Sequence, residues 1–218
     1  MTATLSISSL SRRLDDAGVE RSILAPLSAS FAPGTFCVVT GPSGAGKTTL
    51  LSLLSLAVPA SSGTIRHGAT DLGALDPAAA QRWRRARVGM VFQTSRLITM
   101  LSVAEHIALS AMLRSASDAY RSGLDLLDRL GLGDRRGARP SELSVGEKQR
   151  LALAQAMCFE PEVMLADEPT AALDYANAQV VGSCLRDYAH RSNAVVICVS
   201  HDRQIIDLAD DLLTLEKC

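Results

Sequence analysis

Short, almost purely apolar runs recur along the chain, and most are followed by a segment of helical period. Thr35–Thr40 (TFCVVT) and Val163–Asp167 (VMLAD) read as buried strands, and Arg87–Phe92 (RVGMVF), Ala194–Ser200 and Leu212–Leu215 as further strands. Helices are predicted over Lys47–Val58, stopped near Pro59, over Glu147–Phe159 ahead of Pro161, over Asp174–Arg191 and over Asp202–Ala209. From Ser102 to about Gly131 the chain is helix-rich, with Leu124, Leu127 and Leu130 at helical spacing. Alternating strands and helices mark an α/β fold. The region of about 94–158 lacks strong strand signals and reads as a helical insertion in that core.

Composition narrows the class. A chain of 218 residues supports one sizeable core, or one α/β core with a small helical insertion. Apolar residues make up 47%, which argues against disorder. The formal net charge of −1 gives no broad electrostatic case for nucleic acid, and none is expected as a partner. Arg82, Arg84, Arg85 and Arg87 form a local basic run around Trp83, either a solvated helix face or a contact with a partner. The cysteines Cys37, Cys158, Cys184, Cys198 and Cys218 show no metal-ligand or CxxC spacing. Cys37 and Cys198 lie inside apolar runs and read as small core residues, which suits a reducing cytosol. The first residues are too polar for a secretory leader, and the greasiest run, LLSLLSLAV at 50–58, is far short of a bilayer span. A soluble protein is expected, with work at a membrane left open through a partner.

Gly41–Thr49 reads GPSGAGKTT, between a predicted strand and a predicted helix, the context a phosphate-binding loop requires. Gly41, Gly44 and Gly46 let the backbone curl so that successive N–H groups face one centre. The helix that begins there adds the positive end of its dipole. Lys47 can reach the β- and γ-phosphates, and the Thr48 hydroxyl can ligate Mg²⁺. This loop alone leaves kinase, GTPase, helicase, motor and transporter engine open.

The run Val163–Asp167 ends in two carboxylates, Asp167 and Glu168. Ligands of parallel sheets bind at the carboxyl ends of strands. Asp167 would face Mg²⁺ there, usually through water. Glu168 could polarise the attacking water. The alternative is two helix-capping acids before Pro169.

At this point the chain resembles the ATP-binding subunits of ABC transporters, from about Leu5 to Leu215. The resemblance rests on ordered motifs: GPSGAGKTT at 41–49, Gln93 after VGMVF, LSVGEKQR at 143–150, LADEPT at 165–170, Ala172-Leu173-Asp174, and His201 after VICVS. It implies a single ATP-binding domain over 1–218. Residues 1–93 and 159–218 would form a P-loop NTPase core with a mostly parallel sheet and an N-terminal antiparallel β subdomain. Residues of about 94–158 would be a helical subdomain carrying the family signature.

The site residues the resemblance implies follow position by position. Gly41, Pro42, Ser43, Gly44, Ala45, Gly46, Lys47, Thr48 and Thr49 would cradle ATP. Thr48, Asp167 and Gln93 would attend Mg²⁺, and Gln93 would also sense the attacking water and couple to the membrane subunit. Glu168 resembles the catalytic base, and His201 the switch histidine on the γ-phosphate. Lys47 completes the catalytic set. Ser144 and Gly146 match the signature serine and glycine, which bind the γ-phosphate of ATP held by the opposite subunit. Asp174 matches the aspartate that crosses to that subunit. One chain would thus hold half of each site, and two copies (or this chain and a paired ATPase subunit) stacked head to tail would sandwich two ATP. Closure on ATP and opening after hydrolysis would drive an integral-membrane permease from the cytoplasmic face of the membrane.

LADEPT, VGMVFQ and Val103-Ala104-Glu105 together look most like the lipoprotein-releasing and macrolide-export group, which leans toward export or extraction. The cell-division ATPase belongs nearby, so a regulatory ABC ATPase acting on envelope or division machinery is the alternative. Soluble relatives in DNA repair or translation carry long coiled-coil insertions or tandem cassettes, and this chain has neither. Ala171 stands where many relatives have glycine, and His106 where asparagine is usual.

A larger departure concerns the base. The family offers an aromatic ring ahead of the first core strands to stack on adenine, and that place falls near Leu14. No Tyr, Phe or Trp occurs between Met1 and Ser30. Stacking on an aromatic is worth ~1–3 kcal/mol, so weak discrimination between ATP and GTP is expected, unless Arg12 or Arg13 stacks instead.

LSVGEKQR departs from the signature at Val145 and Glu147. Ser144-Val145-Gly146-Glu147 has the form S-x-x-E of a helix capping box, which gives Glu147 a structural reason to sit there. Val145 places a β-branched side chain where the family has close backbone approach. Ser144 and Gly146 are kept, so the altered letters are expected to tune the motif.

Overall fold

The computed structural model describes residues 2–16, 19–114 and 118–217. Five strands form a parallel sheet in the order β6 (Val88–Val91), β7 (Val163–Asp167), β8 (Val195–Val199), β3 (Phe36–Thr40) and β9 (Asp211–Thr214). Alternate residues of these strands feed two cores, as the strand period of two requires. Phe36, Val38, Met164, Ala166, Val196 and Cys198 pack into one. Cys37, Val39, Val163, Leu165, Val195 and Ile197 pack into the other. Both faces of the inner strands are covered, which is why their runs show no polar alternation, whereas the edge strand β9 is largely exposed. Burial lifts the Cys37 thiol to about 12 and that of Cys198 well above its ordinary value, as befits inert core residues. Cys218 lies outside the described residues.

A second, antiparallel sheet has the order β2 (Val19–Phe31), β1 (Leu5–Asp16), β4 (Ser62–His67), β5 (Thr70–Asp71). Leu5, Ile7, Leu10, Leu24 and Ile65 from it join the second core. That core also takes Leu50, Leu51, Leu53 and Leu54 of α1 (Lys47–Leu54).

The helix α1 ends at Leu54 rather than at Val58. Leu56 adopts a left-handed φ of 56°. Its N–H bonds Leu53 O and the Ala57 N–H bonds Ser52 O, both at 2.9 Å, closing a Schellman motif. A leucine where glycine is usual leaves no sequence signal for this stop.

α2 (Pro77–Arg87) starts with Asp76 capping the Ala79 N–H at 2.7 Å. Its basic run is not simply a solvated face. Arg84 donates to Leu56 O at 2.8 Å, Arg85 to Leu113 O, and Arg87 to Glu162 at 2.7 Å. Trp83 packs on the second core with its ring edge against His67.

Between β6 and β7 the described residues hold α3 (Val103–Arg114), α4 (Ala119–Arg129) and α5 (Val145–Met157), and no strand. Leu127 and Leu130 are buried with Val103, Ile107, Leu151 and Leu153 in the first core, with Leu124 against it. α6 (Tyr175–Ser192) and the short α7 (Arg203–Ile206), which stops before Ala209, flank β8. No described helix is long and apolar enough to cross a membrane.

Candidate nucleotide site

Gly41–Thr49 leaves β3 and enters α1, with Gly46 as the residue ahead of the helix. A Cβ on Gly41, at φ 145°, would strike the carbonyl of Leu215. One on Gly46, at φ 87°, would strike that of Ile23. These close approaches require glycine. Lys47 folds back and donates from Nζ to Gly41 O at 2.8 Å and to Pro42 O at 3.0 Å.

A cleft of about 650 Å³ opens above this loop. Gly41, Ser43, Gly44, Gly46, Lys47, Thr48 and Thr49 form its floor, and Gln93, Asp167, Glu168 and His201 reach it from the ends of β6, β7 and β8. Pro42 and Ala45 do not line it, and Ala45 is buried in the core. Parallel strands place these segments side by side although up to nearly three-quarters of the chain separates them.

Thr48 Oγ1 donates to Asp167 Oδ1 at 3.3 Å. Burial pushes the Asp167 carboxyl above its ordinary range. The Thr48 hydrogen bond opposes that rise and the neighbouring Glu168 adds to it. A hydroxyl and a carboxylate at the foot of a phosphate loop, with the Gln93 amide on the wall, are oxygen donors that fit a magnesium nucleotide. Glu168 stands at φ 46°, its N–H bonded to Val199 O at 2.9 Å. Its Oε1 accepts from His201 Nδ1 at 2.9 Å, and its Oε2 is buried with no hydrogen-bond partner.

Ser144, Gly146 and Asp174 do not line this cleft. They lie together elsewhere, where α5 and α6 begin. Ser144 Oγ accepts the Glu147 N–H at 3.2 Å and Glu147 Oε2 accepts the Ser144 N–H at 2.8 Å, a complete capping box. The helix therefore starts at Val145, ahead of the predicted Glu147. The Ser144 N–H holds the Glu147 carboxyl below its ordinary range, and Arg135, 3.1 Å away, acts in the same direction. Val145 projects outward, 56% exposed. A Cβ on the buried Gly146 would come within 2.8 Å of the Asn177 side chain. Asn177 accepts from Arg150 and donates to both Asp174 oxygens at 2.9 Å. Asp174 also caps α6 through the Asn177 N–H at 2.8 Å.

Sequence reasoning missed Ser22 and Ile23, which line the cleft from β2. Nothing local in ERSILAP marks them, because they arrive by folding of the antiparallel sheet over the loop. Leu14 is 46% exposed and pairs across the strands with Arg21, next to Ser22. Arg12 donates to Pro59 O at 2.8 Å, and Arg13 meets Glu20 at 3.4 Å.

A phosphate loop, a strand-terminal acid pair and a strand-terminal histidine at one end of a parallel sheet define an ATPase of the P-loop class. The ABC transporter family model matches residues 24–171, and the chain belongs to the ABC transporter ATP-binding proteins. An uncharacterized ABC transporter ATP-binding protein of Mycobacterium bovis is 40% identical, over 87% of this chain and 58% of its own length. This chain thus spans little more than half of that relative. The lipoprotein-releasing system ATP-binding protein LolD 1 of Rhodopirellula baltica is 35% identical, over 95% of this chain and 90% of its own. The macrolide export ATP-binding/permease protein MacB of Rhodospirillum rubrum is 36% identical, over 95% of this chain and 32% of its own. The dimeric structure of the bacterial ABC transporter cassette MJ0796 superposes with a TM-score of 0.88 at 24% identity, covering 97% of this chain and 94% of that one.

Proposed function

We propose that the chain is the ATP-hydrolysing subunit of an ABC transporter that works as a head-to-tail homodimer on a separate membrane permease. One observation carries this reading. The cleft holds Lys47, Thr48, Gln93, Asp167, Glu168 and His201, while Ser144, Gly146 and Asp174 are grouped outside it. Ser144 is exposed at the start of α5, where N–H groups and the helix dipole favour phosphate, and Asp174 is exposed at the start of α6 beside it. A second copy is what would bring the two groups onto one nucleotide. In this reading 1–218 is one domain, with 94–158 as its helical subdomain.

Within a closed site, the loop N–H groups and Lys47 hold the β- and γ-phosphates of ATP. Thr48, Asp167 and Gln93 would hold Mg²⁺, which when bound neutralises phosphate charge. Glu168 Oε2 takes the proton of the attacking water. His201 fixes Glu168 through Nδ1 and leaves Nε2 for the γ-phosphate. The water oxygen bonds to the γ-phosphorus as the bond to the β-bridging oxygen breaks, giving ADP and phosphate. Loss of the γ-phosphate removes the bridge to Ser144 of the other copy, and the dimer opens.

Exposed Ile98 (48%) and Met100 (79%) follow Gln93 in the chain and support an apolar contact with the permease beside that residue. The protein would then sit at the cytoplasmic face of the membrane. The names of its lipoprotein-releasing and macrolide-export relatives support export or extraction as the direction.

Glu168→Gln tests the reading. It should keep ATP binding, lower turnover by at least about 10²-fold, and accumulate an ATP-dependent dimer by light scattering. Turnover near the wild-type rate would remove Glu168 from its role, and absence of any ATP-dependent dimer would remove the head-to-tail arrangement.

A further inference from the structure

Gln149 is a glutamine in the middle of α5, 3% exposed, in a helix otherwise buried through Leu151, Leu153, Ala154 and Met157. Both ends of its amide are used. Oε1 accepts from Ser95 Oγ at 2.6 Å, and Nε2 donates to the Phe92 carbonyl at 3.0 Å. Phe92 and Ser95 bracket Gln93, the residue that reaches the nucleotide cleft from β6. Gln149 therefore closes the base of the loop that carries Gln93. The Phe92 ring, in turn, lies 4.2 Å beneath the Arg96 guanidinium.

The far end of the same loop is fastened in the same manner. Ile98 N–H donates to His106 Nε2 at 3.0 Å, and His106 Nδ1 donates to Ser102 O at 2.7 Å, with His106 only 1% exposed. Residues 92–102 have no helix or strand of their own. Their position is thus set by side chains of α3 and α5 as well as by the end of β6. A buried amide that loses such partners leaves donors and acceptors unsatisfied, so the fastening is not readily released.

α5 is also the helix whose first turn holds Ser144 and Gly146, and whose Arg150 is bonded to Asn177 beside Asp174. One rigid helix thus links the group outside the cleft to the loop inside it. We propose that Gln149 is a positioning residue that makes Gln93 move with α5, so that engagement of Ser144 and Gly146 on one nucleotide sets Gln93 against the other. This rests on the head-to-tail reading above. It adds a physical route between the two sites: nucleotide, α5 N-terminus, Gln149, Gln93, second nucleotide. The route acts on turnover and not on closure, because the Gln149 side chain bonds Phe92 and Ser95 rather than the phosphate loop, Ser144 or Gly146.

The test is Gln149→Met in the full chain, which keeps side-chain length and removes both hydrogen bonds. Expected are a fluorescent ATP analogue bound within about twofold of wild type, turnover lowered by on the order of 10- to 10²-fold, the scale of a misplaced catalytic geometry, and an ATP-dependent dimer that accumulates above the wild-type level. Ser95→Ala removes only the 2.6 Å bond and should lower turnover in the same direction by less. The double variant should be no slower than Gln149→Met, because both changes act through one link. Wild-type turnover in Gln149→Met overturns the proposal. So does a dimer lost in step with turnover, which is what a merely structural glutamine would give. Should Gln149→Met fail to fold, Ser95→Ala decides, and unchanged turnover in it also overturns the proposal. If wild type forms no ATP-dependent dimer and Glu168→Gln traps none, the earlier reading fails and this one with it. A wild-type dimer with an unaffected Gln149→Met overturns this one alone.

Discussion

His201 Nδ1 donates to Glu168 Oε1 at 2.9 Å, joining the residues that follow β8 and β7 at the mouth of the nucleotide cleft. The His201 side chain is 75% exposed, whereas that of Glu168 is only 16% exposed. The pair is therefore a solvent-facing arm holding a sheltered carboxylate. Its contribution to folding is small, since exposed ion pairs are worth about 0–1 kcal/mol. Its contribution to geometry is not. His201→Ala should leave the melting temperature unchanged within error and lower turnover by on the order of 10²-fold. A variant that keeps wild-type turnover would show that Glu168 is oriented by its backbone alone.

Asp167 carries a cost that its proposed role explains. Burial raises its carboxyl, with the Thr48 hydrogen bond opposing and Glu168 adding. A carboxyl with a folded pKa above its unfolded value, about 3.9, holds its proton more tightly when folded. Its contribution to stability is greatest below about pH 4 and is lost as pH rises through the folded value. Asp167→Asn should therefore melt higher than wild type near pH 7 without nucleotide, with the difference shrinking near pH 4. Magnesium-dependent turnover should be lost. Thermal melts at both pH values check the sign, and a lower melting temperature near pH 7 would refute it.

The capping box at Ser144 separates stability from dimerisation. Ser144→Ala should cost about 1 kcal/mol and also lose the ATP-dependent dimer. Ser144→Asn supplies another good cap, so it should fold like wild type and still fail to dimerise. Denaturant melts and light scattering distinguish the two. The sign for Glu147 is opposite to that for Asp167, because the Ser144 N–H lowers its carboxyl. Its contribution is present above the unfolded value, about 4.3, and is lost as pH falls through the lower folded value. Glu147→Gln should therefore destabilise at pH 7 and approach wild type at the acid end of the melt series.

Leu14 stands exposed beside the strand that supplies Ser22 and Ile23 to the cleft, with no aromatic ring at its place. ATP and GTP should bind within about tenfold of each other. Leu14→Tyr should tighten ATP binding by on the order of tenfold, the lower part of the ~1–3 kcal/mol range for stacking. Equilibrium titrations of both nucleotides measure this, and a strong ATP preference in the unaltered chain would sink it.

What this sequence determined by itself was local. Each buried strand of the parallel sheet is a contiguous apolar run, GPSGAGKTT is a contiguous loop, and Ser144 and Glu147 form one helical turn. Such features are encoded within a few residues, because dihedral preference, side-chain period and capping act over that range. Tertiary structure decided everything that depends on which segments meet. It set the strand order β6-β7-β8-β3-β9, which gathers Thr48, Gln93, Asp167 and His201. It brought Ser22 and Ile23 over the phosphate loop and placed Glu147 against Arg135. It turned Gln149 from one letter of a signature into the fastening of Phe92 and Ser95. The end of α1 at a left-handed Leu56 belongs here too, since packing of its leucines overrides the residue preference that would have announced it. Contacts of this kind join positions tens of residues apart, and no local pattern specifies the partner. Only the packed sheet selects it.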